Sequence, residues 1–147
     1  MAIHELKLTE IKIPLTHVEG ESDSFGKAKI TAGQSVFYVK ENMMSSSEPG
    51  YPSPLEAFLS GLVGCEIIMF QMFASQLDLL GKFNMRVVAD GEFEMGIGLK
   101  KLNIKYIIKG LNLDEARALL EMVKQSCPVY STIRKSGVVI EESLVVE

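Results

Sequence analysis

The chain has 147 residues, 47% of them hydrophobic, with 15 basic against 19 acidic side chains and a net charge of −4. This is the size of one ordinary domain, able to bury about 68–70% of its unfolded surface around a single core. The acidic balance, with no Lys/Arg cluster longer than Lys100-Lys101, argues against nucleic-acid binding, which needs a basic face for phosphates. No charged n-region followed by an apolar h-region opens the chain, so export is unsupported and a cytoplasmic protein is expected. There, cysteines are more often free, catalytic or redox-sensing than structural.

Residues 1–13 place Ile3, Leu6, Leu8, Ile11 and Ile13 at an approximate two-residue period, which predicts an edge strand. Pro14 interrupts it, and residues 17–24 read as a polar turn region around Gly20. Strands are expected over 25–31 and 35–40, joined by Thr31-Ala32-Gly33-Gln34, giving an antiparallel N-terminal meander. Residues 41–52, rich in Ser, Pro and Gly, form a loop that leads into the longest apolar stretch.

That stretch, SPLEAFLSGLVGCEIIMFQMFASQLDLL over 53–80, predicts a central helix. Ser53 suits the N-cap, Pro54 the first helical position and Gly81 the stop. Apolar residues cover nearly every side of it, as in a helix buried all round. A membrane span is the rival reading, but Glu66 stands near the centre, where a carboxylate is costly, and no aromatic belt or basic flank frames it.

Beyond Gly81, strands are expected over 83–95, with Asp90-Gly91 as a tight turn or a bulge, and over 101–109. Asn112 caps a second helix whose apolar face is Leu113, Ala116, Leu119, Leu120 and Val123, with Asp114 and Glu115 in the first turn, as the macrodipole prefers. It must break at Cys127-Pro128, because proline disfavours helix in the residue before it. A short helix over 128–135 and a strand over 137–146 finish a single domain of 147 residues. The order describes an α+β fold with helices on one face of antiparallel sheet.

Little in this pattern carries chemistry apart from the two cysteines. Cys65 and Cys127 lack zinc-ligand spacing, and His4 and His17 form no paired motif, so no metal is expected. Seven of the eight methionines, spread through the chain, read as adaptable core filler. Cys65 lies mid-helix in an apolar sleeve, where a small buried hydrophobe is the bland reading and the helix dipole contributes little. Cys127 can take the cap position of the helix that follows it, where backbone N–H groups lower a thiol pKa below the usual value of about 8.5. On that ground Cys127 is the better thiolate.

The segments P-L-E-A-F-L-S-G-L-V-G-C-E-I-I and S-C-P-V-Y, at this separation, resemble those of the OsmC/Ohr family of thiol peroxidases, and the likeness covers nearly the whole chain, closest to its OsmC-like branch. The resemblance implies an OsmC-like fold in which antiparallel sheets wrap a long central buried helix in an intertwined homodimer. It implies that Cys65 attacks the peroxide and Cys127 resolves it as a disulfide. A thiolate cleaves the O–O bond to give a sulfenic acid, and a second thiol condenses with it before over-oxidation. The implied activity is thiol-dependent reduction of organic hydroperoxides in oxidative-stress defence, with a dithiol or dihydrolipoyl reductant, no cofactor and no membrane or nucleic-acid partner.

Two positions depart from the peroxidase pattern. Its early-strand arginine has no counterpart, since the first arginine is Arg86, and Lys27 or Lys29 are the cations available in its place. A lysine offers a point charge rather than arginine's bidentate contact. The pattern's glutamate stands ten residues before the first cysteine, where this chain has Leu55; Glu56 stands nine before Cys65, which turns a straight helix through about 900° and leaves the two on opposite sides, about 13 Å apart along the axis. Glu56 is thus either a catalytic residue, one that serves the partner chain's site, or an N-terminal acid for the helix dipole. Two rivals stay open: a non-enzymatic module of the same fold that binds a hydrophobic ligand or senses redox state through the same thiols, and a structural dimer whose cysteines only pack.

Overall fold

The computed structural model describes residues 11–147, so the edge strand expected over 1–13 lies largely outside the described residues; 11–13 carry no regular structure. Residues 11–60 form one compact unit and residues 61–147 another.

In the first unit β1 (Val18–Ser22), β2 (Lys27–Ala32) and β3 (Ser35–Lys40) make an antiparallel sheet in that order, the expected meander with one strand more. β1 occupies the segment expected as a polar turn. Its residues are all exposed, so it has no apolar period to read, and only main-chain pairing from Val18↔Ala32 to Ser22↔Ala28 makes it a strand. Gly33, at φ 61°, supplies the left-handed residue that the tight β2–β3 connection needs.

Helix α1 (Pro54–Ser75) begins in this unit. The Glu56 amide donates to Ser53 Oγ (3.1 Å) and the Ser53 amide donates to Glu56 Oε1 (2.8 Å), a reciprocal capping box. The helix stops at Ser75, five residues short of the expected end at 80. Gln76 to Leu79 form turns whose amides bond back to Phe73, Ala74 and Ser75, and Asp78 takes the left-handed conformation (φ 56°). Aspartate tolerates that region better than most residues, so the chain leaves the helix before glycine compels it. By length and composition α1 would suffice to cross a membrane, but Glu66 in its middle is bonded to a sheet tyrosine, as in a helix buried against protein.

In the second unit β4 (Asn84–Glu94) and β5 (Gly98–Lys109) form an antiparallel hairpin. Asp90 and Gly91 pair within β4 opposite Asn103 and Leu102; the irregularity falls later, between Glu92 and Phe93. Two helices follow, α2 (Leu113–Ser126) and α3 (Pro128–Lys135), and then β6 (Val139–Val146). β6 pairs parallel to β5, Lys101↔Val139 through Ile108↔Val146, so this sheet is mixed where wholly antiparallel pairing was expected. A helical crossover is what returns a chain to run parallel to the strand it left, and α2 and α3 supply it.

The core forms where three periodicities meet. β5 buries every second residue, Leu102, Ile104, Tyr106 and Ile108; α2 buries Ala116, Leu119, Leu120 and Val123; α1 contributes Leu62, Phe70, Phe73 and Ala74. Asn112 caps α2 with its own capping box to Glu115, as its sequence predicts.

Candidate functional site

Cys127 closes α2 and opens α3. Its backbone is extended (φ −68°, ψ 116°), as a residue before proline must be, and this turns its side chain to the start of α3, where Sγ accepts from the Tyr130 amide at 3.5 Å. Cys65 stands in the middle of α1, half-buried, whereas Cys127 is fully buried. The two sulfurs lie 3.0 Å apart, and both cysteines are free thiols. A disulfide bond is about 2.05 Å long, so closure needs a movement of about 1 Å.

The cap expected for Cys127 is present but does not make it a ready thiolate. Burial pushes its thiol up to about 12, the nearby Cys65 adds to this, and the amides of Tyr130 and Val129 pull weakly the other way. Desolvation overrides the cap because a thiolate in the core loses water that two amides do not replace.

The remaining sequence candidates have partners within residues 11–60. Glu56 is engaged in the capping box, where the Ser53 amide, then its hydroxyl, hold the carboxyl below the usual range. Lys27 pairs with Glu48 (3.6 Å) and lies over the Tyr51 ring, 4.6 Å from its centroid. Lys29 lines a small cleft with Glu19, Glu21 and Thr31. Within residues 11–60 both lysines thus stand among acidic side chains.

The elements that carry the sulfurs also carry a polar cluster with no site motif in the sequence. Glu66, next to Cys65 on α1, is fully buried and accepts from the Tyr106 hydroxyl of β5 at 2.5 Å, while its Oε1 has no partner among the described residues. The Tyr130 hydroxyl of α3 donates to Glu142 of β6 (2.7 Å), and Lys124 of α2 reaches Glu142 (3.1 Å) and Glu121 (2.9 Å). Burial pushes the Glu66 carboxyl up to about 7; the Tyr106 hydrogen bond opposes this, Glu142 adds to it and Lys124 relieves it. Tyr106 is driven far up by burial and then by Glu66, and Tyr130 by burial and then by Glu142. Burial works against the charge on Lys124, yet Glu121 and Glu142 together hold it above its ordinary value. The one sequence signal was a carboxylate inside an apolar helix, which must have a partner; nothing in the sequence names Tyr106 as that partner.

Residues 46–143 match the model of the OsmC-like protein family, and this span includes both cysteines. The chain belongs to the OsmC family. A hydroperoxide reductase of Mycoplasma genitalium is 31% identical over 90 residues, which cover 55% of this chain and 61% of that protein. The match thus spans less than two thirds of the relative's length. Among solved structures, an OsmC-like protein from Mycoplasma pneumoniae superposes with a TM-score of 0.73 at 19% identity, over 90% of this chain and 96% of that one. An organic hydroperoxide resistance protein from Legionella pneumophila gives 0.67 at 19% identity, over 92% and 99%. At such identities the structural likeness establishes the OsmC fold, the α+β architecture read from the sequence.

Proposed function

We propose that this OsmC-family chain is a two-cysteine, thiol-dependent reductase of organic hydroperoxides that acts as a homodimer in the cytoplasm. The observation that carries the reading is the 3.0 Å approach of two free sulfurs from separate elements, one half-exposed and one fully buried. That asymmetry supports a division of roles. Cys65 can meet a substrate, whereas Cys127 is enclosed and held protonated, which suits a thiol that waits for a sulfenic acid.

The cycle balances with these two groups and a reductant. The Cys65 thiolate attacks the terminal peroxide oxygen, the O–O bond breaks, and the alkoxide leaves to take a proton from water, giving an alcohol and Cys65 sulfenic acid. The Cys127 thiol then attacks the Cys65 sulfur; the S–S bond forms and hydroxide leaves with the thiol's proton as water. A dithiol, dihydrolipoyl or similar, returns both cysteines to thiols and is itself oxidised to a disulfide. The name of the Mycoplasma genitalium relative supports the reaction class.

Assembly follows from α1. Within one chain only 28% of its most apolar stretch is buried, and Leu55, Ile68 and Met72 stay 37–57% exposed. A second copy is the natural cover for so much apolar surface. The direct test of function is consumption of cumene hydroperoxide and hydrogen peroxide in the presence of a dithiol. Faster turnover of the organic substrate is expected, and no consumption of either would overturn the proposal.

A further inference from the structure

The proposed cycle uses two sulfurs and leaves the polar cluster around Glu66 without a role. Its geometry supplies one. The helix turn carrying Cys65 is tied to β5 through Glu66 and Tyr106, and the turn carrying Cys127 is tied to β6 through Tyr130 and Glu142. Tyr130 serves both ends of its tie, because its amide donates to Cys127 Sγ while its hydroxyl donates to Glu142. β5 and β6 are neighbours, with Ile104 opposite Glu142 and Tyr106 opposite Leu144, so both ties end on one stretch of sheet.

We propose that Glu66 is a positioning residue for the thiol pair: neutral, it sits dry in the core and leaves the Cys65 turn seated on β5; ionised, it draws water or nearby donors toward its unpartnered oxygen and displaces that turn, so closure of the Cys65–Cys127 disulfide follows the charge on Glu66. The inference rests on the thiol pair being redox-active, as read above, but not on a peroxide being the oxidant. Adjacent residues on a helix do not face each other, so Glu66 acts through the helix and not by touching the sulfur.

The groups that face Glu66 come from every element around it: Tyr106 from β5, Glu142 from β6, Lys124 from α2 and Tyr130 from α3. Ionised, Glu66 would place a charge in the core with one oxygen unpartnered and the Glu142 carboxyl nearby, while Lys124 is shared between Glu121 and Glu142. Such a charge draws the surrounding groups apart or draws water in. With the carboxyl poised to titrate at about 7, both forms are populated near neutrality. The gap to be closed between the sulfurs is only about 1 Å, so a small displacement of α1 matters.

The test is the exchange constant between full-length protein and dithiothreitol, in which protein dithiol and oxidised dithiothreitol give protein disulfide and reduced dithiothreitol. Two S–H bonds stand on each side, so the exchange isolates groups other than the protonated thiols. Glu66→Gln keeps an acceptor for Tyr106 and cannot ionise. Between about pH 5.5 and 8 the constant for the wild type should fall about fivefold relative to that of Glu66→Gln, the low end of couplings between sites. Tyr106→Phe removes a bond that favours the charged form and should move the fall to higher pH. A wild-type to Glu66→Gln ratio that stays constant over this range overturns the inference. If Glu66→Gln does not fold, a Tyr106→Phe profile identical to wild type overturns it instead. Exchange that follows the predicted pH dependence without hydroperoxide turnover upholds the inference and defeats only the peroxidase reading.

Discussion

Replacing Glu66 by glutamine changes the pH dependence of stability in a direction and size that the structure fixes. The carboxyl titrates at about 7 in the folded chain against 4.5 for the unperturbed group, because burial disfavours its charge. A folded-state pKa raised above the unfolded one means that the folded chain holds the proton more tightly. The associated stability is therefore fully present below pH 4.5 and is lost as pH rises through 7. At about 1.36 kcal/mol per pH unit, the loss amounts to about 3 kcal/mol, or about 10 °C in Tm for a chain of this size. Glutamine cannot ionise, so its stability lacks this loss while other titrations cancel in the comparison. Urea unfolding of both proteins at fixed protomer concentration, at intervals from about pH 5 to 8, reads the difference directly. The glutamine variant should gain on wild type by about 2.5 kcal/mol across that window. A difference that stays flat would refute the reasoning, since Glu66 would then be no harder to ionise in the core than in the unfolded chain.

Three further outcomes are expected. Cys127→Ser should leave a Cys65 sulfenic acid that a dimedone-type reagent traps, whereas Cys65→Ser should consume no hydroperoxide; the reverse pattern would exchange the roles. Ser53→Ala removes one half of the α1 capping box and should cost about 1 kcal/mol in chemical denaturation without changing m. Light scattering at micromolar concentration should report twice the 16.2 kDa chain mass, and a monomer would contradict the cover proposed for α1.

Where main-chain order is written in side-chain pattern, the sequence was readable. The capping residues Ser53 and Asn112, the break at Cys127-Pro128 and the strand over 101–109 all stand where they were expected. β1 was missed because its side chains are solvated on both faces and pairing alone defines it. The parallel run of β6 was missed because strand direction is set by the α2–α3 crossover and not by composition. At the site, both cysteines were legible and are brought together. The acidity of Cys127 was misread: its cap is a local feature, while the desolvation that outweighs it depends on a core assembled from distant segments. The partner of Glu66 was out of reach for the same reason, since 40 residues separate it from Tyr106.

The central claim is that Cys65 and Cys127 of one chain form the redox unit, and its most direct measurement is mass spectrometry after one equivalent of an organic hydroperoxide. Digestion of the alkylated product should yield a single peptide pair joining Cys65 to Cys127, formed equally well at high dilution because the link lies within one chain. Linkage only between chains, or both cysteines recovered as alkylated thiols after the peroxide has been consumed, would contradict the account.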